Sequence, residues 1–182
     1  HCAIHRRLKL HPCEAYGFKI LGYQLYQNKS SIQDNFINYL QSNDFKMIYL
    51  KRENLVKHAL SNIRARKLGF HSQNRQVSNR ITIEPDHLLK WINGSEKQII
   101  AEQQVITHFP HIIISYENDL ENPECHQATL DRVTEYLDLE RAVARSKYVK
   151  ISPSRIRDSI ENYDEIKRSL LNTPYRKFLK DE

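Results

Sequence analysis

Three short apolar runs, separated by segments with helical periodicity, constrain the fold of this chain more than any other feature. The runs cover residues 15–22, 45–50 and 111–116. Short apolar runs rich in β-forming residues are typical of buried strands, and strands that alternate with helices are typical of a parallel sheet. We therefore predict an α/β fold with a parallel sheet flanked by helices. Because three strands make a thin sheet, we expect one or more further strands before residue 1.

Helical spacing of apolar residues predicts the elements between and after these strands. The predicted helices cover 32–42, 53–68, 84–107, 122–136 and short segments of the last 30 residues. Ser30 or Ser31 can cap the first of them, and the third is expected to break at Asn93-Gly94. Residues 70–80 are polar and are predicted to form a loop. At 182 residues the chain has the length of one domain, covering 1–182.

The charge of the chain favours an anionic partner. Lys and Arg number 28 against 22 Asp and Glu, which gives a net charge of +6. A net positive field raises the local concentration of nucleic acids, membrane headgroups and phosphorylated small molecules, although a solvated basic surface without any partner explains the same charge. The basic clusters lack the context of a known nucleic-acid-binding motif, so we expect no nucleic acid partner. No apolar run approaches the roughly 18 residues that a membrane span needs.

The spacing of cysteine, histidine and glycine residues excludes several kinds of site. Cys2, Cys13 and Cys125 have no CxxC spacing, and His108 and His111 lie three apart at the entrance of a predicted strand. We therefore predict no metal site. The four glycines of the chain cannot form either of the glycine-rich phosphate loops, GxGxxG and GxxxxGK[ST].

The ends of two predicted strands carry the side chains best suited to bind a ligand. Arg52 follows the second apolar run, and Ser61 lies nine positions further on, in the next helix. In open α/β sheets ligands bind at the carboxyl ends of the strands, where Arg offers a charged fork for phosphate oxygens and Ser a hydroxyl donor. Tyr116 and Glu117 lie at the carboxyl end of the third predicted strand, where Tyr can stack on a base and Glu can cap the next turn. Each side chain also has an ordinary structural explanation, such as a surface Arg or a Tyr that packs at the sheet edge.

Four motifs occur along the chain in a characteristic order. They are the segments 17–20 (GFKI), 50–61 (LKRENLVKHALS), 116–123 (YENDLENP) and the tail segments 160–163 (IENY) and 173–175 (TPY). In this order and spacing they resemble the family of sulfotransferases that depend on 3′-phosphoadenosine 5′-phosphosulfate (PAPS), especially its bacterial carbohydrate-type branch. The likeness spans roughly Tyr16 to Leu179.

This resemblance implies a fold, a reaction and a binding site. The fold would be a P-loop-like α/β domain, and the reaction the transfer of a sulfuryl group from PAPS to a hydroxyl or amine of a small-molecule or carbohydrate acceptor. By the resemblance, Arg52 and Ser61 hold the 3′-phosphate of the nucleotide, and Tyr116 lies near the adenine. Lys150, or alternatively Lys147, is a candidate for a further cation at the site.

The chain also departs from the family pattern. The 5′-phosphosulfate loop of the family would lie before residue 1, so we expect the chain as given to be incomplete at its N-terminus and inactive. Lys19 and Tyr23 fall near positions where some members place acid or base groups, but neither is assigned as the general base. The third motif reads Tyr-Glu-Asn-Asp-Leu, one residue longer than in the family, which leaves the register after Tyr116 open.

Two other interpretations stay open at this point. One is a basic α/β module that binds nucleic acid, and the other is a catalytically inactive scaffold, or a nucleotide-dependent kinase, related to the sulfotransferases. The compartment is open as well: we expect the cytoplasm, with the Golgi lumen as the alternative because Asn28-Lys29-Ser30 and Asn93-Gly94-Ser95 are glycosylation sequons.

Overall fold

The computed structural model of the chain describes residues 15–26, 30–68, 80–146, 153 and 155–179. Within them, helices predominate over strands. In chain order the elements are α1 (Gly22–Tyr26), α2 (Ser30–Ser42), β1 (Met47–Lys51), α3 (Leu55–Leu68), α4 (Pro85–Ile106), β2 (His111–Ser115), a π-helical turn (Tyr116–Leu120), a 3₁₀ turn (Pro123–Cys125), α5 (His126–Leu137), a 3₁₀ turn (Ile156–Asp158), α6 (Tyr163–Leu171) and a final 3₁₀ segment (Pro174–Leu179).

The second and third apolar runs form a small parallel sheet, as predicted. β1 and β2 are hydrogen-bonded neighbours whose register runs from Met47 opposite His111 to Lys51 opposite Ser115. The chain passes from one strand to the other through α3 and α4, the long crossover that parallel pairing requires. The mixed α/β character is thus confirmed, with a sheet of two strands in the described part of the chain.

The prediction of a strand at 15–22 is wrong. Residues 15–21 form no regular element, and Gly22 begins α1. The Phe18 ring packs instead against Phe45 and Phe36, at centroid distances of 5.8 and 6.5 Å. A Cβ atom at Gly22 would overlap the carboxylate of Glu102 in α4, so this glycine leaves room for the end of that side chain beside α1. The run is apolar because its aromatic side chains pack, and it has no strand partner among the described residues.

The predicted helices are present, but the predicted break in the third is wrong. α4 runs without interruption from Pro85 to Ile106 and passes through Asn93-Gly94. A glycine inside a helix costs only about 1 kcal/mol relative to alanine. Burial of Leu88 and Ile92 on the same helix outweighs that cost, since each such side chain contributes about 2 kcal/mol.

The hydrophobic core lies between α3, α4 and the C-terminal segments, away from much of the sheet. Its buried side chains come from all three regions and include Val56, Ile63, Leu88, Ile92, Ile160 and Ile166. By contrast, Ile48 and Leu50 of β1 are 45% and 52% exposed. The core therefore fixes α3 against the C-terminal segments from residue 155 to residue 179, here called the tail. This packing sets the position of Ser61, which lies in α3.

A short extended contact joins the segment before α4 to the segment before α6. The Ile81 N–H donates to the Ser159 carbonyl at 3.2 Å, and the Glu161 N–H donates to the Ile81 carbonyl at 3.1 Å. The Asn162 side chain extends this pairing, because its amide oxygen accepts from the Ile83 N–H at 3.1 Å and its amide nitrogen donates to the Ile83 carbonyl at 2.9 Å. The Asn162 side chain thus forms the two hydrogen bonds with the Ile83 backbone that a paired strand would otherwise form.

Replacing Asn162 with alanine is expected to lower the free energy of unfolding by about 2 kcal/mol, because two backbone groups of Ile83 lose their partner at a half-buried position. Urea unfolding followed by circular dichroism measures the change. The matched control is Asn118→Ala, at an exposed asparagine of the π-helical turn. Equal stability losses in the two variants would contradict a structural role for the Asn162 amide.

Candidate functional site

A cavity of about 250 Å³ lies beside the carboxyl ends of both strands. Its wall is formed by the residue after β1, by α3, by the π-helical turn after β2, and by four residues of the C-terminal segments, namely Pro153, Ile156, Ser159 and Ile160. The cavity therefore lies where open α/β sheets bind ligands, and segments distant in sequence meet in it.

Arg52, Ser61 and Tyr116, which the sequence singled out from two separate motifs, all line this cavity. The structure thus brings the three side chains together, while their roles stay predictions. Lys150 lies outside the described residues. Lys19 and Tyr23 do not line the cavity, and both are exposed on the surface.

The register of the sheet places Arg52 beside Tyr116. Lys51 and Ser115 are paired across the two strands, and Arg52 and Tyr116 are the next residues of their segments. The Arg52 guanidinium carbon lies 3.8 Å from the centroid of the Tyr116 ring. A cation at this distance is attracted by the ring and contributes about 0.5–1 kcal/mol at a half-exposed site. The guanidinium and the aromatic ring therefore form one stacked pair in the cavity wall.

The Glu117 carboxylate connects this pair to the start of α3. Its two oxygens accept hydrogen bonds from the backbone N–H groups of Glu53, at 2.9 Å, and of Asn54, at 3.2 Å. The Asn54 side chain accepts in turn from the Lys57 N–H at 2.9 Å, the hydrogen bond of a helix N-cap. A carboxylate at this end of a helix is also favoured by the helix dipole.

The five residues Tyr116–Leu120 form one π-helical turn, closed by the Glu121 N–H and the Tyr116 carbonyl at 2.7 Å. Asp119 in this turn accepts from the Ser115 N–H at 2.6 Å and from the Arg132 guanidinium at 2.8 Å. A π-helical turn holds one residue more than an α-helical turn. The five-residue length of Tyr-Glu-Asn-Asp-Leu therefore has a local structural basis.

Two cations that the sequence analysis missed line the cavity on either side of Ser61. Lys57 lies four residues before Ser61 in α3, and Arg64 lies three residues after it. Residues three and four apart share one face of a helix. Helical spacing counted from Ser61 could have indicated both side chains, whereas the motif comparison covered only Arg52 and Ser61.

The lining of the cavity also includes apolar side chains. They belong to Leu60, Ile81, Ile156 and Ile160 and are buried. The lining thus combines three cationic side chains and the carboxylates of Glu117 and Glu121 with apolar groups. A lining of this kind suits a ligand that carries both charged and apolar groups.

His58 of α3 lies near Arg52 and Glu117, whose charges act on its imidazole. Burial, and after it the positive charge of Arg52, lower the pKa of His58 below its usual 6.5, against the opposing effects of Glu117 and Glu102. Its Nδ1 atom is buried and has no hydrogen-bond partner. The neutral imidazole is therefore the form that fits the folded chain.

Acidification is expected to destabilise the protein through His58. Its pKa is lower in the folded than in the unfolded state, so the unfolded chain binds the proton first and the free energy of unfolding falls as the pH drops below about 6.5. His58→Gln removes this contribution and should make stability less dependent on pH in that range. Urea titrations above and below that pH test it, with His108→Gln as the control at an exposed histidine. An unchanged pH dependence in His58→Gln would contradict the expectation.

Two further findings concern the described residues alone. No group of three or more His, Cys, Asp or Glu side chains among them is arranged to hold a metal ion. No described helix combines the length and the apolar character needed to cross a membrane.

Comparison of the chain with models of protein families, with curated proteins and with solved structures gave no significant match.

Proposed function

We propose that the chain carries the nucleotide-binding part of a PAPS-dependent sulfotransferase with a P-loop-like α/β fold, which transfers a sulfuryl group to a hydroxyl or amine of a small-molecule or carbohydrate acceptor. The observation that carries this proposal is the meeting of Arg52, Ser61 and Tyr116 in one cavity. Arg52 and Ser61 belong to one motif of the resemblance and Tyr116 to another. Their proximity depends on a strand pairing that the motifs themselves do not specify.

The polar and cationic side chains of the lining would hold the 3′-phosphate. Arg52 supplies a charged fork of N–H donors and Ser61 a hydroxyl, the donors that phosphate oxygens accept best. Lys57 and Arg64 lie on the same face of α3 as Ser61 and add positive charge. Glu117 directs its carboxylate oxygens to the Glu53 and Asn54 N–H groups, which compensates part of the negative charge that it brings to the wall.

The aromatic and apolar side chains of the lining would hold the adenine. Tyr116 supplies an aromatic ring, and Ile81, Ile156 and Ile160 supply apolar side chains. Stacking of a base on an aromatic side chain contributes about 1–3 kcal/mol. The chemical character of the lining supports a nucleotide with a 3′-phosphate as the ligand.

In the proposed reaction the chain binds and orients the donor. The acceptor oxygen or nitrogen forms a bond to sulfur while the bond from sulfur to the 5′-phosphate oxygen breaks, and adenosine 3′,5′-bisphosphate leaves with the electron pair. The acceptor loses its proton to a base that we do not assign to any described residue. As in phosphoryl transfer, positioning and cations supply most of the rate enhancement.

Isothermal titration calorimetry with adenosine 3′,5′-bisphosphate and adenosine 5′-monophosphate tests the proposal. We expect the bisphosphate to bind at least about tenfold more tightly, because charge-assisted hydrogen bonds to the 3′-phosphate contribute about 1.5–3 kcal/mol. Equal affinities, or no binding of either nucleotide, would overturn it. Binding of an oligonucleotide whose affinity falls steeply with salt would instead favour a nucleic-acid-binding module.

A further inference from the structure

We propose that Glu117 is a positioning residue that fixes Arg52 and Tyr116 as a stacked pair in the cavity wall. The inference rests on the proposed function in one respect, namely that this pair contacts the nucleotide. Glu117 itself would act through the backbone of the neighbouring segment.

The position of the Glu117 contacts in the chain supports this role. Glu117 directly follows Tyr116, and its carboxylate holds the N–H of Glu53, which directly follows Arg52. A second hydrogen bond, from the Asn54 N–H to the other carboxylate oxygen, restricts rotation of the Glu117 carboxylate. The carboxylate thus lies one residue after Tyr116 and holds the first and second residues after Arg52, across a separation of more than 60 residues in sequence.

The same contacts determine which groups are left to bind an anion. The N–H groups of Glu53 and Asn54 donate to Glu117, and the N–H of Lys57 donates to the Asn54 side chain. These three backbone N–H groups already have acceptors. A phosphate in the cavity would bind to other donors, of which the Arg52 guanidinium is one, so its affinity depends on how accurately that side chain is held.

The variant Glu117→Gln tests this role because it keeps the size of the side chain. Its single amide oxygen can accept one of the two N–H groups, while its NH₂ group faces the other N–H group, which loses its acceptor. We expect the segment after β1 to loosen and the stacked pair to separate. The affinity for adenosine 3′,5′-bisphosphate should fall about tenfold, the effect of losing one charged hydrogen bond.

Nuclear magnetic resonance supplies a measurement that needs no ligand. At 3.8 Å from the Tyr116 ring centre, the side-chain protons of Arg52 experience the ring current and resonate upfield. A Tyr116→Leu variant gives the chemical shifts of these protons in the absence of the ring. In Glu117→Gln the chemical shifts of the Arg52 protons should move toward the values of that reference variant. Glu117→Asp keeps the charge but is one methylene shorter, and it should move the Arg52 signals in the same direction. This variant replaces Glu117→Gln in the experiment if the glutamine variant does not fold.

Glu135→Gln is the matched control, since it removes the same charge at an exposed position of α5, and its Arg52 signals and affinity should equal those of the wild type. Arg52 signals that stay at the wild-type position in both Glu117 variants would overturn the positioning role, whatever the affinities. If the wild type binds no bisphosphate, the proposed function fails, whereas the movement of the Arg52 signals still decides whether Glu117 holds the pair.

Discussion

Replacing Arg52 with alanine is expected to weaken the binding of adenosine 3′,5′-bisphosphate about 100-fold, the upper end of what charge-assisted hydrogen bonds to one phosphate contribute. Arg52 lines the same cavity as Ser61, and its guanidinium carbon lies 3.8 Å from the centroid of the Tyr116 ring. The alanine variant therefore loses the fork of donors and the group that orients the tyrosine ring. Calorimetric titration of both proteins with the bisphosphate measures the loss.

Two further variants separate a specific contact from a general charge effect. Arg176→Ala removes one positive charge at an exposed position of the final 3₁₀ segment, and its affinity should stay close to that of the wild type. Arg52→Lys keeps the charge but loses the planar fork, so its affinity should lie between those of the wild type and Arg52→Ala. If Arg52→Ala and Arg176→Ala bind equally well, the cavity is not where the phosphate binds.

Replacing Ile92 with alanine is expected to lower the free energy of unfolding by about 3–4 kcal/mol. Ile92 lies on α4, is 0% exposed and belongs to the core that joins α4, α3 and the tail. The truncated side chain leaves a cavity at a point where three segments meet, so the neighbouring side chains can fill it only in part. Urea unfolding followed by circular dichroism measures the loss.

The same helix offers the control for this prediction. Ile100 is 58% exposed, so Ile100→Ala should change the free energy of unfolding by less than about 0.5 kcal/mol. Because the core around Ile92 fixes α3, the helix of Ser61, Ile92→Ala should also weaken nucleotide binding when it is measured close to the unfolding midpoint. Similar stability losses in the two variants would show that the core does not lie between α3 and α4.

The strands and the helices between them were predictable where local pattern and packing agree. The runs that became β1 and β2 are apolar and follow turn-forming residues, and the structure pairs them in parallel. The run at 15–22 is also largely apolar, but its Phe18 packs against other aromatic rings. Composition alone does not distinguish side-chain packing from strand pairing, because both favour apolar residues.

At Asn93-Gly94 the sequence locally favours a break in the helix, but tertiary contacts stabilise a continuous α4. Tyr175 from the final 3₁₀ segment places its hydroxyl 2.7 Å from the Asn93 side-chain oxygen and 2.7 Å from the Glu96 carboxylate. These contacts hold the tail against the middle of α4. No local pattern in the sequence reports a partner about 80 residues away.

The candidate site was predictable in part. The position of Arg52 after a strand indicated it as a ligand-binding residue, but its contact with Tyr116 depends on the register between β1 and β2. The Glu117 contacts to the start of α3 have no sequence signal at all, since they join backbone groups to a side chain over a long separation. The order of the motifs thus indicated which residues share a site, whereas the contacts between these residues are visible only in the fold.

A crystal structure of the chain with adenosine 3′,5′-bisphosphate would show directly whether this cavity binds the nucleotide. We expect the 3′-phosphate within hydrogen-bonding distance of the Arg52 guanidinium and the Ser61 hydroxyl, with the adenine against the Tyr116 ring. A bisphosphate bound elsewhere on the molecule, or bound in this cavity with its 3′-phosphate directed away from Arg52 and Ser61, would contradict this expectation.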